Sequence, residues 1–197
     1  MLLGAMLVGP TRGAWRTAVV LLTPLLTLIA IWQVPDGVVM TIAFLEYPIE
    51  PLEGSPVRRL FATIFAIMAF GGGLFAYRHA KWYELAAALA YAAGAIGVSF
   101  AGDLISLFLF WELMALFSTV VVWCGGTPAA RAAGIRYAIM HLIGGVILKL
   151  GIEGVMVHTG SIEVQPMLAT NFDTWMILIG ILINAAAQPI SAWLSHA

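Results

Sequence analysis

The sequence predicts an all-α fold, a polytopic bundle of transmembrane helices, and three observations predict it. Of 197 residues, 62% are hydrophobic, against about 45–50% in soluble domains. Only 10% are charged, against about a quarter. The apolar residues fall in runs near the 20 or so residues that cross a bilayer core, and the mean hydropathy is +0.99.

The elements follow from the amino terminus. Residues 2 to 9 (LLGAMLVG) are apolar but cover less than half of a core roughly 30 Å thick at about 1.5 Å per residue. They read as a truncated first helix. A signal peptide would place its basic residues before the apolar run, whereas Arg12 and Arg16 follow it. Six full spans come next, at 17–34, 58–77, 83–101, 104–123, 137–157 and 174–194, the last broken at Pro189, which removes a backbone hydrogen bond from an apolar run. Residues 35–57 carry Pro35, Pro48, Pro51 and Pro56 among Asp36, Glu46, Glu50 and Glu53, and read as a turn-rich extramembrane loop. Small residues four apart, Ala86, Ala90 and Gly94 with Ala93 and Gly97, allow a neighbouring helix to approach closely. Nothing marks a linker or a repeat, so 1–197 is read as a single transmembrane domain.

Loop charges alternate. Arg12 and Arg16, Arg78 and Lys81, then Arg131 and Arg136 mark one side; Asp36, Glu46, Glu50 and Glu53, then Asp103, then Glu163 and Asp173 mark the other. The positive-inside rule puts the basic set in the cytoplasm of a prokaryotic plasma membrane. Arg58 and Arg59 break the alternation and are read as snorkelling at a helix end.

Composition excludes several functions. Nine Lys and Arg balance ten Asp and Glu, which leaves no basic surplus for nucleic acid. Cys124 stands alone, so neither an intrachain disulfide nor a CxxC redox or zinc motif exists. The HExxH, P-loop, GxSxG and GxGxxG signatures are absent. The expectation is a transporter subunit and no enzyme, without metal or cofactor.

The chemistry-bearing residues are charges inside the membrane, where an ionisable group near a helix centre costs on the order of 3 kcal/mol. Glu112 is near the middle of 104–123, Lys149 near the middle of 137–157, and Asn184 in the middle of 174–194. Lys149 and Glu153 are four apart, on one helical face, where they can pair; Glu112 on the preceding antiparallel helix can reach the same lysine. A coupled carboxylate and amine at shared depth is what a proton relay needs. His141, two turns before Lys149, extends it towards the cytoplasm. A static ion pair that fixes helix packing is the rival reading of Glu112 and Lys149.

Three segments carry a family likeness: AGDLISLFLFWELMALFSTVVVW, RYAIMHLIGGVILKLG and ILINAAAQPISAWLSHA. They resemble the antiporter-like subunits shared by respiratory complex I, membrane-bound hydrogenases and the Mrp-type multisubunit cation/proton antiporters, and the Mrp D-subunit in particular. The resemblance implies that Glu112, the glutamate of WELM, is an essential proton-pathway residue. It also implies a lysine in the broken helix five residues before the proline, where this sequence has Asn184 before Pro189, with Trp193, Leu194 and Ala197 beyond. Lys149 is then expected to replace it as the cationic partner of Glu112. Such subunits consist of two inverted repeats, so the chain reads as the amino-terminal portion with the second repeat absent. The implied activity is proton translocation coupled to Na⁺ or another monovalent cation, through a buried Glu/Lys charge relay, in a hetero-oligomeric membrane complex. The alternatives left open are a proton-pumping membrane subunit of a complex I-like or hydrogenase assembly, and a non-transporting structural fragment.

Overall fold

The computed structural model describes residues 1–187. Its helices are α1 (Leu2–Val8), α2 (Gly13–Ile31), α3 (Pro56–Ala76), α4 (Trp82–Phe100), α5 (Leu104–Trp123), α6 (Pro128–Thr159) and α7 (Phe172–Asn184). Between α2 and α3 stand two strands, β1 (Gly37–Phe44) and β2 (Tyr47–Gly54). Helices α2 to α6 are long and apolar enough to cross a membrane, while α7 has 13 residues. The fold is the expected polytopic helical bundle: short turns join α1 to α2 and link α3, α4, α5 and α6 in order, the hairpin connects α2 to α3, and residues 160–171 connect α6 to α7.

Three expectations change. Residues 35–57 are an antiparallel β-hairpin, with Phe44 opposite Tyr47 and Gly37 opposite Gly54, irregular between Val38 and Ile42. The prolines and acids of β2 hid its alternation, and Leu45 takes the positive-φ turn position (φ 54°) that glycine or asparagine usually signals. The sixth helix begins at Pro128, capped by the Thr127 hydroxyl on Ala130 N–H, well before the expected 137. The last helix ends at Asn184 and turns at Ala185–Ala186, with Ala186 at φ 52°. The break expected at Pro189 lies outside the described residues.

Apolar packing forms three patches. Val8 and Val20 meet Leu85 and Leu89; Ile31 meets Ala62, Ala66 and Phe100; and Leu104 meets Leu148, Ile152 and Val155. The helices approach closely where side chains are missing: a methyl group on Gly94 would stand 2.9 Å from the Met114 backbone nitrogen, and one on Gly97 would overlap the Phe110 ring. Gly94 and Gly97 of the small-residue row read from the sequence thus lie in the α4–α5 seam.

Asp103 fastens the acidic end of the bundle. Fully buried before α5, it accepts hydrogen bonds from the Ile105 and Ser106 amides at 2.9 and 2.8 Å, and from the Glu50 amide of β2 at 2.6 Å. Gly102 N–H donates to the Glu50 carbonyl and Leu104 N–H to the Ile162 carbonyl, which adds the loop after α6. Arg58 and Arg59, at the start of α3, join this clamp. Arg58 pairs with Glu53 at 2.6 Å and donates to the Ala101 carbonyl; Arg59 pairs with Asp36 at 2.7 Å and donates to the Val34 carbonyl at 2.8 Å. Both guanidinium groups are thus paired with carboxylates of the hairpin region.

Asp103→Ala removes three acceptor bonds at a buried site and is expected to lower stability by about 2–4 kcal/mol, with Asp103→Asn losing about half as much. Reversible unfolding in mixed micelles measures this; a loss below ~0.5 kcal/mol for the alanine would show that the clamp does not hold the hairpin.

Candidate functional site

The site is built where α5 and α7 flank α6. Asp103 caps α5 and sets its depth, so that Glu112 falls eight residues in, about 12 Å below that end. On α7 a capping box sets the start: Asn171 accepts from Thr174 N–H at 3.0 Å, and the Thr174 hydroxyl accepts from Asn171 N–H. Twelve residues on, the same helix ends at Asn184. Between the two, α6 presents Gly144 and Gly145.

These two glycines receive the two polar side chains. A methyl group on Gly145 would overlap Glu112 Oε1 and stand 3.2 Å from its Cδ, and one on Gly144 would overlap Asn184 Oδ1 and stand 2.7 Å from its Cγ. The absence of Cβ atoms is what admits a carboxylate from one side and an amide from the other. Further along the seam the contacts are between backbones: a methyl on Gly151 would stand 2.6 Å from Ile177 N, and one on Gly180 2.6 Å from Leu148 N. At the outer end His158 Nδ1 lies 2.6 Å from Asp173 Oδ2, tying the end of α6 to the start of α7.

Glu112 Oε1 and both amide atoms of Asn184 are buried with no hydrogen-bond partner among the described residues. His141, one turn before Gly145, is buried too, its ring 4.4 Å from that of Tyr137. Glu112 and His141 line a crevice of about 290 Å³ between α5 and α6 that passes Thr119 to Trp123. Beyond it, Trp123, Arg131 and Ile135 line a second hollow at the basic end. The Trp123 indole packs on Gly134, where a methyl would overlap its Cδ1. Cys124 follows directly; burial pushes its thiol up, with Glu84 adding and Lys81 opposing.

Of the residues named from the sequence, the structure therefore brings together Glu112, His141 and Asn184. Lys149 is elsewhere. It bonds Glu153 one turn on, as the four-residue spacing allows, and both side chains are 53% exposed on the outer face of α6. The direct Lys149–Glu112 contact is not formed: Glu112 packs at Gly145, whereas Lys149 stands one turn further along α6 and its ammonium bonds Glu153. Pro189 lies outside the described residues. Sequence reasoning passed over Trp123, the His158–Asp173 pair and the role of Gly144 and Gly145, although two adjacent glycines inside an apolar span are themselves a signal of close approach. Among the described residues, no three His, Cys, Asp or Glu side chains are grouped to hold a metal ion.

Fold and site define a multi-pass helical membrane protein with a carboxyl group in the bundle interior. Residues 101–197 match the family described as NADH:quinone oxidoreductase/Mrp antiporter, transmembrane, which shows the likeness read from the sequence. The chain is 25% identical over 145 residues to the D-type subunit of a Na⁺/H⁺ antiporter from Alkalihalophilus pseudofirmus, a match covering 69% of this chain and 26% of that protein. It is 28% identical over 124 residues to the chloroplastic NAD(P)H-quinone oxidoreductase subunit 5 of Adiantum capillus-veneris, covering 54% of this chain and 17% of that one. The chain thus spans about a quarter or less of the length of these relatives. Two solved structures share the fold: the archaeal membrane-bound sulfane sulfur reductase (TM-score 0.78, 20% identity, 99% of this chain and 45% of the other) and the Mrp complex of a Dietzia species (TM-score 0.73, 22% identity, 100% and 41%).

The two kinds of glycine contact separate in a substitution series. Gly145→Ala meets the movable end of Glu112, and the helix preference for alanine offsets part of the cost, so a change within about 1 kcal/mol is expected. Gly180→Ala meets backbone and is expected to cost about 2–3 kcal/mol. Unfolding midpoints of the two variants read the order, and the reverse order would deny the backbone seam.

Proposed function

We propose that this chain is a proton-translocating membrane subunit of a multisubunit monovalent cation/proton antiporter, with Na⁺ as the coupled cation, in a prokaryotic plasma membrane. The observation that carries the reading is Glu112: a carboxylate oxygen buried among transmembrane helices, with no hydrogen-bond partner among the described residues, at the head of a crevice leading to the basic end. A buried group of this kind is retained against its cost because it binds and releases something. Similarity to the D-type subunit of a Na⁺/H⁺ antiporter supports the choice of reaction.

In this mechanism protons enter from the cytoplasmic end past Arg131 and Trp123, move along the crevice by way of water and His141, and bind the Glu112 carboxylate. Arg131 at the mouth disfavours entry of the metal cation by the same route. Lys149 acts on Glu112 through space from one turn further along α6 and not by a direct bond. It lies one turn beyond Gly145, about 6 Å along the axis, and its own carboxylate partner Glu153 modulates its field. Asn184, in place of the lysine that the family likeness implies, supplies an amide that can donate to the carboxylate or accept from its acid form. Other membrane subunits complete the path.

A second reading has its own support. Similarity to an NAD(P)H-quinone oxidoreductase subunit 5 fits a pump subunit in a redox-driven assembly, with no cation exchanged. Proton uptake by inverted vesicles carrying the assembled complex, followed with a pH-sensitive dye on adding Na⁺, separates the readings. Wild type responds to Na⁺; Glu112→Gln assembles normally and loses at least ~90% of the signal; Lys149→Ala is reduced but measurable. Full transport by Glu112→Gln would turn the assignment to a structural subunit, and a response to electron donors instead of Na⁺ would select the pump.

A further inference from the structure

The crevice that holds Glu112 and His141, about 290 Å³, and the hollow at the basic end, about 370 Å³, share one lining residue, Trp123. It is the last residue of α5, after which the chain turns through Cys124, Gly125 and Gly126 and re-enters helix at Pro128. The indole is seated on Gly134 in the second turn of α6: a Cβ there would overlap Cδ1 and Nε1 and stand 3.2 Å from Cγ. One turn deeper than the ring, Thr119 is buried in the crevice wall, its hydroxyl donating to the Ala115 carbonyl at 2.9 Å.

A tryptophan at a helix end is ordinarily an interfacial anchor, with its ring among lipid headgroups and no particular partner. Trp15, 77% exposed, has that character. Trp123 differs in two respects: it stands between two hollows, and its seat is a residue without a side chain, so that the ring comes against α6 itself. Packing alone holds it, since no hydrogen bond ties the indole to the described residues. The ring is also 45% exposed, and the open side is where it can go. A change of χ1 between the two rotamers common in helices carries the whole ring about Cβ, off the glycine. Apart from Glu112, Thr119 and His141, the crevice is lined by apolar side chains and the indole. A hydrated way to the carboxylate from the basic end therefore passes the place the indole occupies.

We propose that Trp123 is a gate. Seated on Gly134 it parts the crevice from the basic hollow; turned off that seat it joins them into one water-filled way to Glu112. Gly134 defines the closed position, because any Cβ there evicts the ring. That protons use this way rests on the transport reading, whereas control of water access by the ring does not. In a coupled transporter the gate exposes the carboxylate to the basic end only part of the time, and a way held open throughout would let protons pass uncoupled.

The test is thiol labelling in inverted membrane vesicles that carry the complete complex and present the basic end to the medium. Cys124→Ser removes the native thiol, and Thr119→Cys places one a turn deeper than the gate. The probe is 2-(trimethylammonium)ethyl methanethiosulfonate, which carries a fixed charge and reaches a thiol only through water. With Trp123 in place, labelling is slow. Trp123→Ala, which removes the ring, and Gly134→Ala, which evicts it, each raise the rate per assembled complex at least about tenfold. Gly134→Ala keeps every side chain and favours the helix, so it opens the gate without the loss of packing that attends Trp123→Ala. A Gly134→Ala rate no higher than that of its parent would overturn the proposal, as would a parent rate already equal to that of a cysteine replacing the exposed Ala129. Labelling needs no turnover, so the two readings fail separately: flat rates overturn the gate alone, and full transport by Glu112→Gln overturns the transport reading alone.

Discussion

Two missing side chains, at Gly144 and Gly145, govern the interior of this protein. With any larger residue at both, α6 would hold its neighbours away, and neither Glu112 nor Asn184 would reach its present position. Small residues let membrane helices approach where the hydrophobic effect supplies no force between them. Here the space they leave is filled by polar groups instead of backbone, at mid-membrane depth, where such groups are least tolerated. The adjoining contacts at Gly151 and Gly180 bring backbone against backbone and keep α6 and α7 in register. The seam is thus rigid at one level and carries movable side chains at another.

The two ends of the bundle are built differently. On the acidic side, Asp103, Arg58, Arg59 and the hairpin form a lattice of charge-assisted bonds, with a further tie between His158 and Asp173. On the basic side, the crevice from Glu112 ends against an indole packed on a glycine, with exposed Arg131 beyond. A bundle clamped at one end and closed by a single aromatic ring at the other offers an asymmetric route to a buried carboxylate. That asymmetry gives direction to the proposed proton path, since the clamped end has its polar groups occupied with one another.

The spans were legible because bilayer thickness imposes a length and composition that no local interaction overrides. The α4–α5 seam was legible for a similar reason: four-residue spacing of small side chains has one common use in a membrane. The hairpin was not legible, because β2 alternates Ile49 and Leu52 with prolines and glutamates and its turn is made by Leu45 without a glycine. The pairing of Arg58 and Arg59 depends on that hairpin and was hidden with it. At the site, depth along each helix could be read from residue number, so Glu112 and Asn184 were correctly placed at one level. Rotation about each helix axis could not, because it is set by neighbours, and this is why Lys149 was expected to meet Glu112 and instead faces outward.

The convergence of three helices on the glycine pair is most directly tested by a disulfide. With Cys124→Ser to remove the native thiol, cysteines replacing Gly144 and Asn184 have their Cβ atoms within bonding range, since the Asn184 Cγ stands 2.7 Å from a Cβ built on Gly144. Oxidation in native membranes followed by thiol blocking and mass measurement counts the free cysteines. The structure predicts that the pair closes, leaving no free thiol. Two thiols that remain free and separately blockable would show that α7 does not meet α6 at Gly144, and the account of the site would fail.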